Sequence, residues 1–72
     1  MEKKIKFILS NDSTKHYKIE ETSGKFYAYR WKSTTWGSEW VNLGNARSFE
    51  DAVTLARADA SSFGSIYKTE FD

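Results

Sequence analysis

The sequence predicts an α+β fold: a twisted antiparallel sheet of four to five strands (β-β-β-β-α-β) with one helix packed on one face, in a single domain spanning 1–72. Three observations carry this. Apolar residues recur with a period of two in several segments before residue 44 and again after residue 64. Only the stretch 48–60 changes to the helical period. The connections between the first strands are short and rich in turn formers, which makes an antiparallel meander the economical topology.

Residues 3–9 alternate Ile5, Phe7 and Leu9 against Lys4, Lys6 and Ile8. A turn cluster, Ser10-Asn11-Asp12-Ser13-Thr14, follows. The second strand, 16–22, points Tyr17 and Ile19 inward and His16, Lys18 and Glu20 outward. Thr22-Ser23-Gly24-Lys25 reads as a hairpin connection, with Gly24 free to take positive φ. Residues 26–32 have the strongest β propensity in the chain. A loop is expected over 33–38, around Gly37, and a fourth strand over 39–43 separates Trp40 and Asn42 from Val41 and Leu43.

The helix signal is the cleanest. Ser48 is a good N-cap, with Asp51 three residues on, and Glu50 and Asp51 suit the positive end of the helix dipole. Phe49, Ala52, Val53, Ala56 and Ala60 form the inward stripe, while Glu50, Thr54, Arg57 and Ala58 lie opposite. The segment Arg57-Ala58-Asp59 reads as solvated face, and Gly64 as a C-cap glycine. Residues 65–71 complete the sheet as an edge strand.

The third strand poses a choice. Its faces are Phe26, Ala28, Arg30 and Tyr27, Tyr29, Trp31. The second set carries no charge, which favours those three rings as the core side. The opposing argument is steric: an alanine-rich helix fits over Phe26 and Ala28 and leaves the rings on the open side.

Composition narrows the function classes. The chain has no Cys and one His, so disulfides, thiolate metal sites and polyhistidine zinc sites within one chain are excluded. Stability must come from packing, and aromatic residues, at 17%, each bury about 150–250 Å². No apolar run nears the length of a membrane span, and the apolar run after Met1-Glu2-Lys3-Lys4 is too short for a signal-peptide core. A cytoplasmic protein is the default expectation. Net charge is +1, but residues 1–32 carry +4 and residues 33–72 carry −3. Protection of strand edges by Lys accounts for much of that.

No catalytic constellation is legible. His16 is the only conventional near-neutral base and sits outward beside a Ser/Thr turn. There is no GxSxG turn, phosphate loop or HExxH. Glu20 and Glu21 are adjacent on a strand and point to opposite faces. The expectation is a non-enzymatic module with no cofactor and no metal.

One helix covers one sheet face, so the other must meet water or a partner. The leading expectation is protein interaction or self-association as a homodimer, through Trp36, Trp40 and whichever of Tyr27, Tyr29, Trp31 and Arg30 face outward. The alternative is single-stranded nucleic acid, with bases stacked on Tyr27, Tyr29, Trp31 and Trp40 and phosphates on Lys4, Lys6 and Lys18. Trp36, beside Gly37, is expected to fold back as a lid on the core edge, against its use as a recognition anchor.

Overall fold

The computed structural model describes residues 2–72. The elements are β1 (Glu2–Leu9), β2 (Thr14–Thr22), β3 (Lys25–Thr34), β4 (Gly37–Ala46), α1 (Phe49–Ser61) and β5 (Ile66–Phe71). The five strands form one sheet in the order β4-β3-β2-β1-β5, with every pairing antiparallel. Consecutive hairpins build the first four strands. After the helix the chain returns to the opposite edge, where β5 pairs only with β1.

Turn chemistry sets the register. Thr22 pairs with Lys25 across Ser23 and Gly24, whose φ values of 52° and 77° describe a two-residue turn of the primed type. Its twist matches that of the flanking strands. The expected loop over 33–38 is instead strand: Thr34 pairs with Gly37, and only Thr35 and Trp36 lie between them. A bulge between Ala28 and Tyr29 of β3 leaves Leu43 of β4 without a partner, and Leu43 packs against the core.

The helix begins as its sequence predicts. Ser48 is extended, and its Oγ accepts from the Asp51 backbone N–H at 3.2 Å. The end differs from expectation. Ser62, not a glycine, is the C-cap, and it has right-handed helical φ and ψ. The Ser62 hydroxyl donates to the Asp59 carbonyl at 2.6 Å, and the Ser61 hydroxyl donates to the Arg57 carbonyl at 3.0 Å. The Ser61 hydroxyl also reaches the Ala58 carbonyl at 3.1 Å, and the Ser62 and Phe63 backbone N–H groups donate to the Asp59 and Ala60 carbonyls, so the terminal carbonyls are served without a left-handed glycine. Gly64 answers a different need: its φ of 158° lies in a region that L side chains rarely adopt.

The core lies between the sheet and α1. Ile5, Phe7 and Leu9 of β1, Tyr17 and Ile19 of β2, and Ala28 of β3 are buried, as are Ala52, Val53, Ala56 and Ala60 of the helix. Phe7 and Tyr17 meet edge-on with ring centroids 5.3 Å apart. Phe71 docks near Phe49, with centroids 6.5 Å apart.

β3 reverses the favoured expectation. Ala28 is fully buried beneath the helix, flanked on the same face by Phe26 and Arg30, while Tyr27, Tyr29 and Trp31 face away. The steric argument wins because three alanines let the helix approach closely, and a ring at position 28 would hold it off.

Arg30 sits on the covered face because the helix supplies it with a counter-ion. Its Nη1 donates to both carboxylate oxygens of Asp59 at 3.0 Å. The Tyr17 hydroxyl donates to Asp59 Oδ2 at 2.6 Å. Asp59 is thus half-buried, a correction to its reading as solvated face. The cluster ties the last turn of α1 to β2 and β3. Burial, the bond to Asp59 and the charge of Asp59 together hold the Tyr17 phenol well above its usual value, with Arg30 opposing.

This fixes the sign of an alkaline effect. Above about pH 10 the unfolded chain ionises this tyrosine while the folded chain keeps the proton, so stability falls as pH climbs past that value. Tyr17→Phe is expected to lose about 1–2 kcal/mol near neutral pH. It also removes this residue's share of the alkaline decline. Urea melts of both proteins from pH 7 to 11 check this, and parallel curves would contradict it.

Candidate functional site

The face of the sheet away from the helix is ordered by strand pairing into rows. Trp31 pairs with Trp40, and His16, Lys6 and Glu70 pair in turn across β2, β1 and β5. The next row runs Asn42, Tyr29, Lys18, Lys4, and the Asp72 backbone N–H extends it by donating to the Lys4 carbonyl at 3.1 Å. Tyr27, Glu20 and Glu2 make a third. Aromatic residues thus lie over β3 and β4, cations over β1 and β2, and acids along β5 and in the third row.

The aromatic end is raised. Trp31 and Trp40 meet edge-on with centroids 4.9 Å apart, and Trp31 remains 39% exposed. Beside them lies a hollow of about 650 Å³, lined by Lys4, Lys6, His16, Trp31, Trp40 and Glu70, among others. Its dimensions suit one or two large side chains from another molecule.

The cations differ in availability. Lys18 is held on both sides. Its ammonium lies 4.6 Å from the Trp40 ring centroid and 5.3 Å from that of Tyr29, and 3.4 Å from carboxylate oxygens of Glu2 and Glu20. Lys6 sits 3.4 Å from Glu70. Bonds from Lys68 and Lys6 hold the Glu70 carboxyl below its ordinary range. The face carries Lys4, Lys6, Lys18, Lys25 and Lys68 against Glu2, Glu20, Glu70 and Asp72, so its formal charge is only +1 despite its basic centre.

The structure brings together most of the expected contact residues: Tyr27, Tyr29, Trp31, Trp40, Lys4, Lys6 and Lys18 all share this face. Two depart from it. Arg30 is on the helix side, committed to Asp59. Trp36 does not fold back as a lid. It stands at the tip of the β3–β4 hairpin, 95% exposed, because a two-residue connection leaves no slack to return it to the core. The β2–β3 ladder ends at Tyr17 and Arg30, so the hairpin beyond projects as a two-stranded arm with residues 32–39 exposed throughout.

His16 was set aside by sequence reasoning, yet it lines the hollow. Its place opposite Lys6 was the missing information, and strand order alone supplies that. Among the described residues, no three His, Cys, Asp or Glu side chains group as a metal would need. Nor, among those residues, is any helix long and apolar enough to cross a membrane. No family model, curated protein or solved structure matches the chain.

Because Trp36 is almost wholly exposed, Trp36→Ser is expected to change unfolding free energy by less than about 0.5 kcal/mol. It should also remove the emission component most readily quenched by acrylamide. A loss above about 1 kcal/mol would mean that the arm tip packs on the domain.

Proposed function

We propose that the chain is a non-enzymatic protein-interaction module, working in the cytoplasm, whose contact surface is the helix-free sheet face. One observation carries this: the exposed Trp31–Trp40 ridge stands directly beside a hollow of about 650 Å³ on a face that no element among the described residues covers. Trp and Tyr are favoured at protein contacts because they provide large rigid area at low entropic cost, and a hollow next to a ridge gives that area shape. The mixed charge of the face suits a protein surface, which carries both signs. Trp36 on its projecting arm supplies a second, separate anchor.

Ion pairing speaks against single-stranded nucleic acid. Phosphate binding needs Lys or Arg side chains free to displace the counterions condensed on the nucleic acid. Lys18 is already enclosed by two rings and two carboxylates, and Lys6 is matched by Glu70. Lys4 and Lys25, at opposite ends of the face on β1 and β3, are a weak basis for a phosphate track.

A photo-crosslinking amino acid placed at Trp31, with one at Glu50 on the outer helix face as control, tests the surface. The expected result is a discrete protein adduct from position 31 and none from position 50, with no salt-sensitive quenching of Trp fluorescence by oligonucleotides. Equal adducts from both positions, or none from position 31, would contradict the proposal. So would oligonucleotide quenching that weakens steeply with salt.

A further inference from the structure

The strand order has a symmetry that bears on the partner. β2 is the middle strand, with β3 and β4 on one side and β1 and β5 on the other. The ridge belongs to the first side, and most of the hollow to the second. A half-turn about an axis parallel to β2, placed above the open face, exchanges the two sides. It lays one ridge into the other hollow twice over, which is the self-complementarity an isologous contact requires.

From this we infer that the occupant of the open face is a second copy of the chain, packed face to face about a two-fold axis along β2. The inference rests on the proposed contact surface and names its partner.

The rows make the chemistry explicit. Rotation keeps each residue's height along the strands, so Lys6 meets the partner copy's Trp31 and Lys4 meets its Tyr29. Each is an ammonium over a ring, the arrangement Lys18 already makes with Tyr29 and Trp40 within one chain. Asp72 meets Asn42, an acceptor facing an amide donor. Five cations and four anions leave each face at a net of +1, with Lys25 at its far end beside the β2–β3 turn, so two copies approach against little repulsion. Residues nearest the axis come from β2, where Lys18 is already neutralised by Glu2 and Glu20.

Size sets the strength. The strands run 8, 9, 10, 10 and 6 residues; at about 4.8 Å between strands and roughly 3.3 Å per residue, the sheet without its projecting arm gives a footprint of about 600 Å². Stable interfaces bury about 800 Å² per partner. The pairing is therefore reversible and concentration-dependent. The other route to a dimer is pairing of the exposed β4 edges, which would bring Asn42 close to its own copy.

The chain has no Cys, so single thiols report cleanly. Asn42→Cys and Asp72→Cys, both at exposed positions, are mixed and treated with a bismaleimide spanning the roughly 10 Å between facing sheets. The expected product is the mixed dimer, with several-fold less from either variant alone. Sedimentation of the unmodified protein should show a monomer–dimer equilibrium whose dissociation constant rises at least tenfold in Trp31→Ser. Cross-linking of the Asn42→Cys protein alone above the mixture would overturn the two-fold along β2, as would a monomeric mass at millimolar concentration. A monomer that still yields a heterologous adduct from position 31 overturns the second copy while leaving the contact surface in place. A monomer with no such adduct overturns both.

Discussion

The close approach of α1 to the sheet governs the rest of this structure. Ala52, Ala56 and Ala60 present almost no side chain, so the helix settles directly over Ala28. At that separation the covered face of β3 has room for Ala28 at its centre, with Phe26 and Arg30 only at the helix flanks. The alternation of the strand then leaves Tyr27, Tyr29 and Trp31 no choice but the open side. The Arg30–Asp59–Tyr17 cluster anchors the C-terminal end of the helix in that position. An aromatic face arises here from helix packing, not from any local preference of the strand.

That origin explains why the face is so mixed. Rings and cations alternate with core residues along the same strands, and register pairs open-side positions only with one another, as in Lys4 with Lys18 and Lys18 with Tyr29. The protein manages the exposed rings partly by itself. Lys18 lies against Tyr29 and Trp40, and two acids neutralise it. What this leaves uncovered is the Trp31 side of the ridge and the hollow next to it. The arm carrying Trp36 adds an apolar group at a distance from both.

Much of this was legible in the sequence, and the failures have physical causes. Strand alternation, the Ser23–Gly24 turn, the Ser48 cap and the alanine stripe are local signals, and each matches the structure. The face of β3 was misjudged because a charge at Arg30 was counted against burial. The acid that satisfies it, Asp59, is 29 residues away. A clue was present: Tyr17 on the inward face needs a partner for its hydroxyl, and Asp59 borders the helix stripe next to Ala56 and Ala60. The end of the helix was misplaced because Ser61 and Ser62 hydroxyls do the work expected of a glycine. Membership of the open face followed once β3 was oriented. The hollow did not, since it depends on strand order, which no local pattern encodes.

The central claim is that helix and sheet lie too close at position 28 to admit more than a methyl group. Urea denaturation of Ala28→Leu measures this most directly. The account predicts a loss of about 2 kcal/mol or more, because the added carbons have nowhere to go without lifting the helix. A loss below about 0.5 kcal/mol would show that the helix has room to spare, and that helix approach does not decide which side of β3 faces out.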